Sequence, residues 1–197
     1  LTAYQGFDAF FHAAEGFIAN CATPISDLYA LEAIRLLYKY LPVAVKDGHN
    51  LKARAKVAWA STLAGMVEST SSCTSEHSME HAMSAYYPEL PHGAGLIILS
   101  EAYFESFRND RMKRFMKMAE AMTQQKSNRP SDFIDALVRM QKECDVYGLK
   151  LSDWGIKKED LPKMVHNAKD TMGGLFTLDP RPLTDEEVLS IYEKSYR

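Results

Sequence analysis

Four of the six histidines in this 197-residue chain fall in tight groups, three of them with acids at short spacing. Asp8-Ala9-Phe10-Phe11-His12 sets a carboxylate and an imidazole at i and i+4, on one face of a helix. His77-Ser78-Met79-Glu80-His81 repeats the spacing with two imidazoles. Further on, His92 stands between Pro91 and Gly93. Pro91 restricts the residue before it and Gly93 frees the backbone after it, which places His92 at a helix start, pointing back toward the preceding helix. Two nitrogens on one helix, a nitrogen and an oxygen on another, and a third segment closing over them suit a divalent transition metal. Three imidazoles and one carboxylate favour iron(II) or zinc over calcium or magnesium, which prefer oxygen ligands.

Spacing alone leaves blander readings open. His12 lies among Phe7, Phe10, Phe11 and Phe17 and fits a hydrogen-bonded core histidine equally well. Asp8 fits the first turn of a helix, where the dipole favours an acid. His77 and His81, flanked by Glu76 and Glu80, fit a solvated charged face. His49, beside Asp47-Gly48, reads as a surface turn, and His166, after Met164-Val165, as structural. The methionines read as core filler. Other chemistries lack their motifs: there is no GxGxxG, Walker loop, nucleophile elbow, HExxH or CxxC, and no serine in a recognisable hydrolase setting.

The elements that must position these residues read almost entirely as helix. Leu28, Leu31, Ile34, Leu37 and Leu41 recur every three or four residues behind Pro24-Ile25-Ser26, with Ser26 the expected N-cap. Phe133, Leu137, Met140 and Cys144 do the same after Ser131, with Gly148 the expected stop. Thr184 and Glu187 make a capping box, with Leu183 and Val188 at the staple positions and Val188, Ile191, Tyr192 and Tyr196 facing inward. Strand and hairpin signals are poor. The expected fold class is all-α, with helices near 7–20, 27–45, 51–69, 73–86, 92–107, 109–123, 131–146, 158–169 and 184–196. No repeat or linker divides residues 1–197, and Gln124–Pro130 reads as an exposed turn.

Composition narrows the function classes. With 46% hydrophobic and 25% charged residues, the chain has the balance of a folded domain, not of a disordered or collagenous one. A net charge of −3, from 23 basic and 26 acidic residues, offers no grip on nucleic acid. Apolar runs such as Leu96-Ile97-Ile98-Leu99 fall far short of the roughly 18 residues a membrane span needs, and no signal or transit pattern is read. Cys21, Cys73 and Cys144 are too few and too spread for a disulfide framework, so a cytoplasmic setting is expected. The chain begins at Leu1 and enters a helical pattern within a few residues, as a piece of a longer polypeptide would.

Taken together, the motifs resemble one family. Gly6-Phe7-Asp8-Ala9-Phe10-Phe11-His12-Ala13-Ala14-Glu15-Gly16 is similar to the first metal motif of the iron-containing (group III) alcohol dehydrogenases. Ala64-Gly65-Met66, followed after ten residues by His77-Ser78-Met79-Glu80-His81-Ala82, resembles the second, and Leu90-Pro91-His92-Gly93-Ala94-Gly95-Leu96 the third. Gly155-Ile156 with Glu159-Asp160-Leu161-Pro162, and Asp179-Pro180-Arg181-Pro182-Leu183-Thr184, resemble the C-terminal signature. The likeness runs from about residue 3 to the end.

The resemblance implies a multi-helix bundle like the C-terminal domain of dehydroquinate synthase, joined in the family to an N-terminal α/β domain that binds NAD(P). It implies Asp8, His12, His77 and His92 as ligands of Fe2+, with Zn2+ as the alternative. It implies His81 as a non-ligand histidine beside nicotinamide and substrate. The place of His81 four residues from His77 leads to the expectation of a catalytic role, relaying the hydroxyl proton or orienting the substrate. The reaction implied interconverts a small primary alcohol and an aldehyde, and a homodimer is the assembly expected. A metal-dependent hydrolase and a non-catalytic helical module are the competing readings. Four departures stand out. The interval from His81 to His92 is one residue longer than in better-known members. Glu76 and Glu80 stand where apolar residues are common, which implies a more polar pocket. Asp179 stands where asparagine is common, and Gly173-Gly174-Leu175-Phe176 falls where part of the substrate pocket is expected.

Overall fold

Apolar residues recur at helical intervals through most of the chain, and helix follows helix accordingly. The structure, a computed structural model, describes residues 1–196. Among them are nine α-helices and no strand: α1 (Thr2–Ile18), α2 (Pro24–Lys46), α3 (Leu51–Ser71), α4 (Ser75–Tyr86), α5 (His92–Phe107), α6 (Met112–Thr123), α7 (Ser131–Glu143), α8 (Leu161–Phe176) and α9 (Asp185–Ser195). Two single 3₁₀ turns, Leu151–Trp154 and Lys158–Asp160, lead into α8.

The helix boundaries correct several expectations. α1 starts at Thr2, not near residue 7, because Gln5 N–H already donates to the Leu1 carbonyl (3.0 Å). Asp8 therefore lies beyond the first turn, where the dipole effect has faded, and the helix-start reading of this acid fails. Thr23, not Ser26, caps α2: Thr23 Oγ1 accepts from Ser26 N–H, and Ser26 Oγ accepts from Thr23 N–H. Leu28 is 71% exposed, because α2 packs through Ala30, Ala33, Ile34, Leu37 and Leu41 instead. α7 stops at Glu143, three residues short of the expected end. Cys144 N–H and Val146 N–H turn back to the Met140 and Gln141 carbonyls while Asp145 takes a left-handed φ of 57°, so Gly148 is not the stop. α8 runs on past residue 169 through both glycines to Phe176, bent at Met172 (φ −133°, ψ 31°). The capping box of α9 forms as expected, with Thr184 N–H on Glu187 (2.9 Å) and Glu187 N–H on Thr184 (3.2 Å).

α1 is the central element, packed on α2, α3, α5 and α6. Its Phe7, Phe10, Phe11 and Phe17 are buried. Phe10 stacks on Phe133 of α7 at 6.2 Å, and Phe11 on Phe104 of α5 at 6.1 Å. α4 lies between α5 and α8, tied to α9 by a hydrogen bond from the Tyr192 hydroxyl to the Met79 carbonyl (2.7 Å). The first turn of α5 meets the first turn of α1 at Gly93. A Cβ there would stand 2.3 Å from the Tyr4 carbonyl oxygen and 2.9 Å from its Cα, so only glycine allows this approach. No described helix is long and apolar enough to cross a membrane, and the three cysteines are free.

Candidate metal centre

Burial of the phenylalanines fixes the rotation of α1 and turns Asp8 and His12, one helical turn apart, toward the N-terminal ends of α4 and α5. His77 comes from the first turn of α4, and His92 is the first residue of α5. Three imidazole nitrogens surround a single carboxylate oxygen: Asp8 Oδ1 lies 3.4 Å from His77 Nε2, 3.4 Å from His92 Nε2 and 3.6 Å from His12 Nε2. The rings pack closely, with centroids 4.5 Å apart for His12–His77 and 5.4 Å for His77–His92.

These separations decide what the cluster suits. Direct hydrogen bonds would draw the atoms to about 2.7–3.2 Å. Donors held about 2.0–2.1 Å from a central ion in tetrahedral array stand about 3.4 Å from one another. The observed 3.4–3.6 Å from Asp8 Oδ1 is closer to the second case, and the donors of Asp8, His12 and His77 all lie within 4.8 Å of one another, with His92 joining through Asp8.

Behind the nitrogens stand buried carboxylates. His77 Nδ1 pairs with Glu15 Oε1. The other oxygen of Glu15 accepts from Thr74 N–H (2.7 Å) and Thr74 Oγ1 (2.8 Å). Thr74 Oγ1 meets the Tyr103 hydroxyl at 2.7 Å, and that hydroxyl lies 3.0 Å from Asp179 Oδ1, which also accepts from Ser75 N–H. His92 Nδ1 pairs with Glu80 Oε2. A carboxylate on the far nitrogen fixes the ring plane of an imidazole and turns its Nε2 inward, where it can bind an ion on giving up its proton.

The electrostatics follow from this crowding. Burial works against charge on Asp8, but His77 and His92 outweigh it and hold the carboxyl well below its usual range. Burial likewise opposes protonation of His77 and His92, but Glu15 and Asp8 push His77 up to about 10, and Asp8 and Glu80 push His92 up to about 9. His12 is pushed down, by burial and then by His77. The carboxylates Asp8, Glu15 and Glu80 thus make a pocket that draws positive charge, and the donor set fits a divalent transition ion. Glu76 is fully buried beside Glu15, with no donor partner among the described residues, and burial together with Glu15 pushes its carboxyl well above the usual range.

The expected residues fall as follows. Asp8, His12, His77 and His92 converge. His81 lies one turn along α4, exposed, its ring 5.1 Å from that of His92, and burial followed by His92 pushes its pKa down. His49 lies in an exposed turn. His166 is exposed and pairs with Asp170 (2.9 Å), a surface contact instead of the structural role expected. His77 and Glu76 are buried, so the solvated-face reading fails for them. Glu15 and Glu80 are the functional candidates that spacing rules passed over. Glu15 carried a signal: a lone acid among the apolar residues of the second half of α1 must be buried and therefore partnered. Residues 172–176 are partly exposed at the end of α8, which packs on α4.

The sequence pattern of the Fe-containing alcohol dehydrogenase family, C-terminal, matches residues 2–196. This chain belongs to the iron-containing alcohol dehydrogenase family. Among relatives in the family, the chain is 32% identical over 193 residues to the long-chain primary alcohol dehydrogenase AdhA of Thermoanaerobacter ethanolicus, covering 96% of this chain and 48% of that one. It is 33% identical over 204 residues to the 1,3-propanediol dehydrogenase of Citrobacter freundii, covering 100% and 51%. An archaeal alcohol dehydrogenase from a Red Sea brine pool, ADH/D1, superposes with a TM-score of 0.94 at 32% identity, over 98% of this chain and 50% of that one. A 1,3-propanediol oxidoreductase gives 0.92 at 30%, over 100% and 52%. The all-α architecture is that of these solved iron-containing alcohol dehydrogenases over the matched half. The chain spans about half the length of the relatives it matches.

Proposed function

We propose that this chain is the metal- and substrate-binding half of an NAD(P)-dependent alcohol dehydrogenase that interconverts a primary alcohol and an aldehyde. The observation that carries this reading is the placement of His12, His77 and His92 Nε2 at 3.4–3.6 Å around Asp8 Oδ1. These four residues would hold the ion, Fe2+ first and Zn2+ as the alternative, since both accept this donor set. When bound, the ion supplies Lewis acidity to an alcohol or carbonyl oxygen, and NAD(P) supplies the hydride chemistry.

The chain's own residues do the rest. Glu15 and Glu80 hold His77 and His92 in place through Nδ1. His81, exposed beside the centre and pushed toward its neutral form, is suited to take a hydroxyl proton from substrate and pass it to water, and to face the nicotinamide. The NAD(P)-binding part belongs to an N-terminal α/β domain. In support, α3 exposes Leu51, Trp59 and Met66, apolar side chains suited to a covering domain. Three free cysteines and the absence of a membrane-length apolar helix among the described residues support a cytoplasmic reading.

Elemental analysis of purified variants tests the assignment. His77→Ala and His92→Ala are expected to lose the metal, while His81→Ala keeps it. Retention of full metal content by both ligand variants would overturn the reading.

A further inference from the structure

His92 is the least supported of the four donors. It opens α5 behind Pro91, has no side-chain cap, and is followed by Gly-Ala-Gly. Its side chain is 36% exposed, against 4% for His77. Its ring lies beside those of His77 (5.4 Å) and His81 (5.1 Å), with Nε2 aimed at Asp8. The polar contact on its other nitrogen is with Glu80 Oε2 from α4.

Glu80 is itself held firmly. It is fully buried, and Oε1 accepts from Ser84 Oγ at 2.5 Å. Its side chain occupies a slot opened by Gly95: a Cβ on Gly95 would stand 2.7 Å from both Glu80 Cγ and Glu80 Oε1. A hydroxyl on one oxygen and a missing side chain beside it leave the other oxygen one position, against the His92 ring.

Resting on the metal-centre reading above, we infer that Glu80 is a positioning residue, which reaches from α4 through the Gly95 slot to set the ring plane and tautomer of His92. The donors of Glu80, His81 and His92 also lie close enough to suggest a second ion. Direct hydrogen-bond contact between Glu80 and His92 argues against it, because a shared ion would hold the two atoms about 3.4 Å apart.

The test uses the full-length protein, Zn2+ affinity by chelator competition, and the visible absorption bands of Co2+ as a signature of coordination geometry. Glu80→Ala is expected to weaken Zn2+ binding roughly ten- to hundredfold and to shift the Co2+ bands. Glu80→Gln, which keeps an acceptor oxygen, is expected to restore much of both. Gly95→Ala, which fills the slot, should imitate Glu80→Ala, yet add nothing in a Glu80→Ala background, where the slot is free. Wild-type affinity and an unchanged Co2+ spectrum in Glu80→Ala would overturn the inference alone. A wild-type protein that binds neither metal would overturn the metal centre with it. If Glu80→Ala does not fold, Glu80→Gln and Gly95→Ala decide: unchanged affinity in both overturns the inference.

Discussion

Asp179 shows how far the surroundings of the candidate centre extend at the scale of single residues. It is 2% exposed, and burial pushes its carboxyl up to about 7 despite hydrogen bonds from Ser75 and Tyr103. A carboxyl raised in the folded state is protonated there while the unfolded chain has already ionised. Folding stability therefore falls as pH rises from about 4 to about 7, by on the order of 4 kcal/mol, and then levels off. Asp179→Asn removes this dependence. It is expected to raise the urea midpoint at pH 8 and change it little at pH 4. An equal effect at both pH values would show that Asp179 ionises normally. That Asp8 and His12 share a helix face was legible because i, i+4 spacing survives into the structure, while their meeting with His77 and His92 was expected from the family resemblance. The carboxylates behind the imidazoles were less legible, because Glu80 meets His92 through tertiary packing and no local pattern records the slot at Gly95.

Among the elements, the sequence marked every helix, and the errors sit where local and tertiary signals disagree. Leu28 has the spacing of a core residue, but the small Ala30 and Ala33 let α2 turn a different face inward. The helix expected near 158–169 ends short of the glycines at 173 and 174, yet α8 carries through them with only a bend at Met172. Gly93 is the position where an element sets the site. Its neighbour is the Tyr4 backbone, which has no rotamer to yield. Gly93→Ala would push the start of α5 off α1 and carry His92 away from Asp8. The expected result is a loss of about 1–3 kcal/mol in stability together with loss of bound metal. Thermal unfolding and metal content measured on the same sample check it. Wild-type values for both would mean that α5 has more freedom than this packing implies.

At the scale of the molecule, the all-α class follows from an unbroken succession of 3.6-residue patterns with no competing alternation. What no pattern within these residues supplies is a dinucleotide fold, and the match to about half of each relative agrees with that. On the proposed function, the chain by itself is expected to bind Zn2+ or Fe2+ yet to show no aldehyde-dependent NAD(P)H oxidation, and a polypeptide that joins it to an NAD(P)-binding domain is expected to gain it. Calorimetry and a nicotinamide absorbance assay, run side by side, test the pair of outcomes. Turnover by the isolated chain would mean that it binds nicotinamide unaided.

Asp8 and His92 lie far apart in the chain and meet at one point. An ion gripped by both would act as a clasp across most of the first hundred residues, closing a loop of a length for which covalent cross-links are worth about 4–5 kcal/mol. A polypeptide whose first helix has not yet seated can offer only His77 and His92. Full-strength capture then becomes a checkpoint on assembly, passed only after α1 has docked.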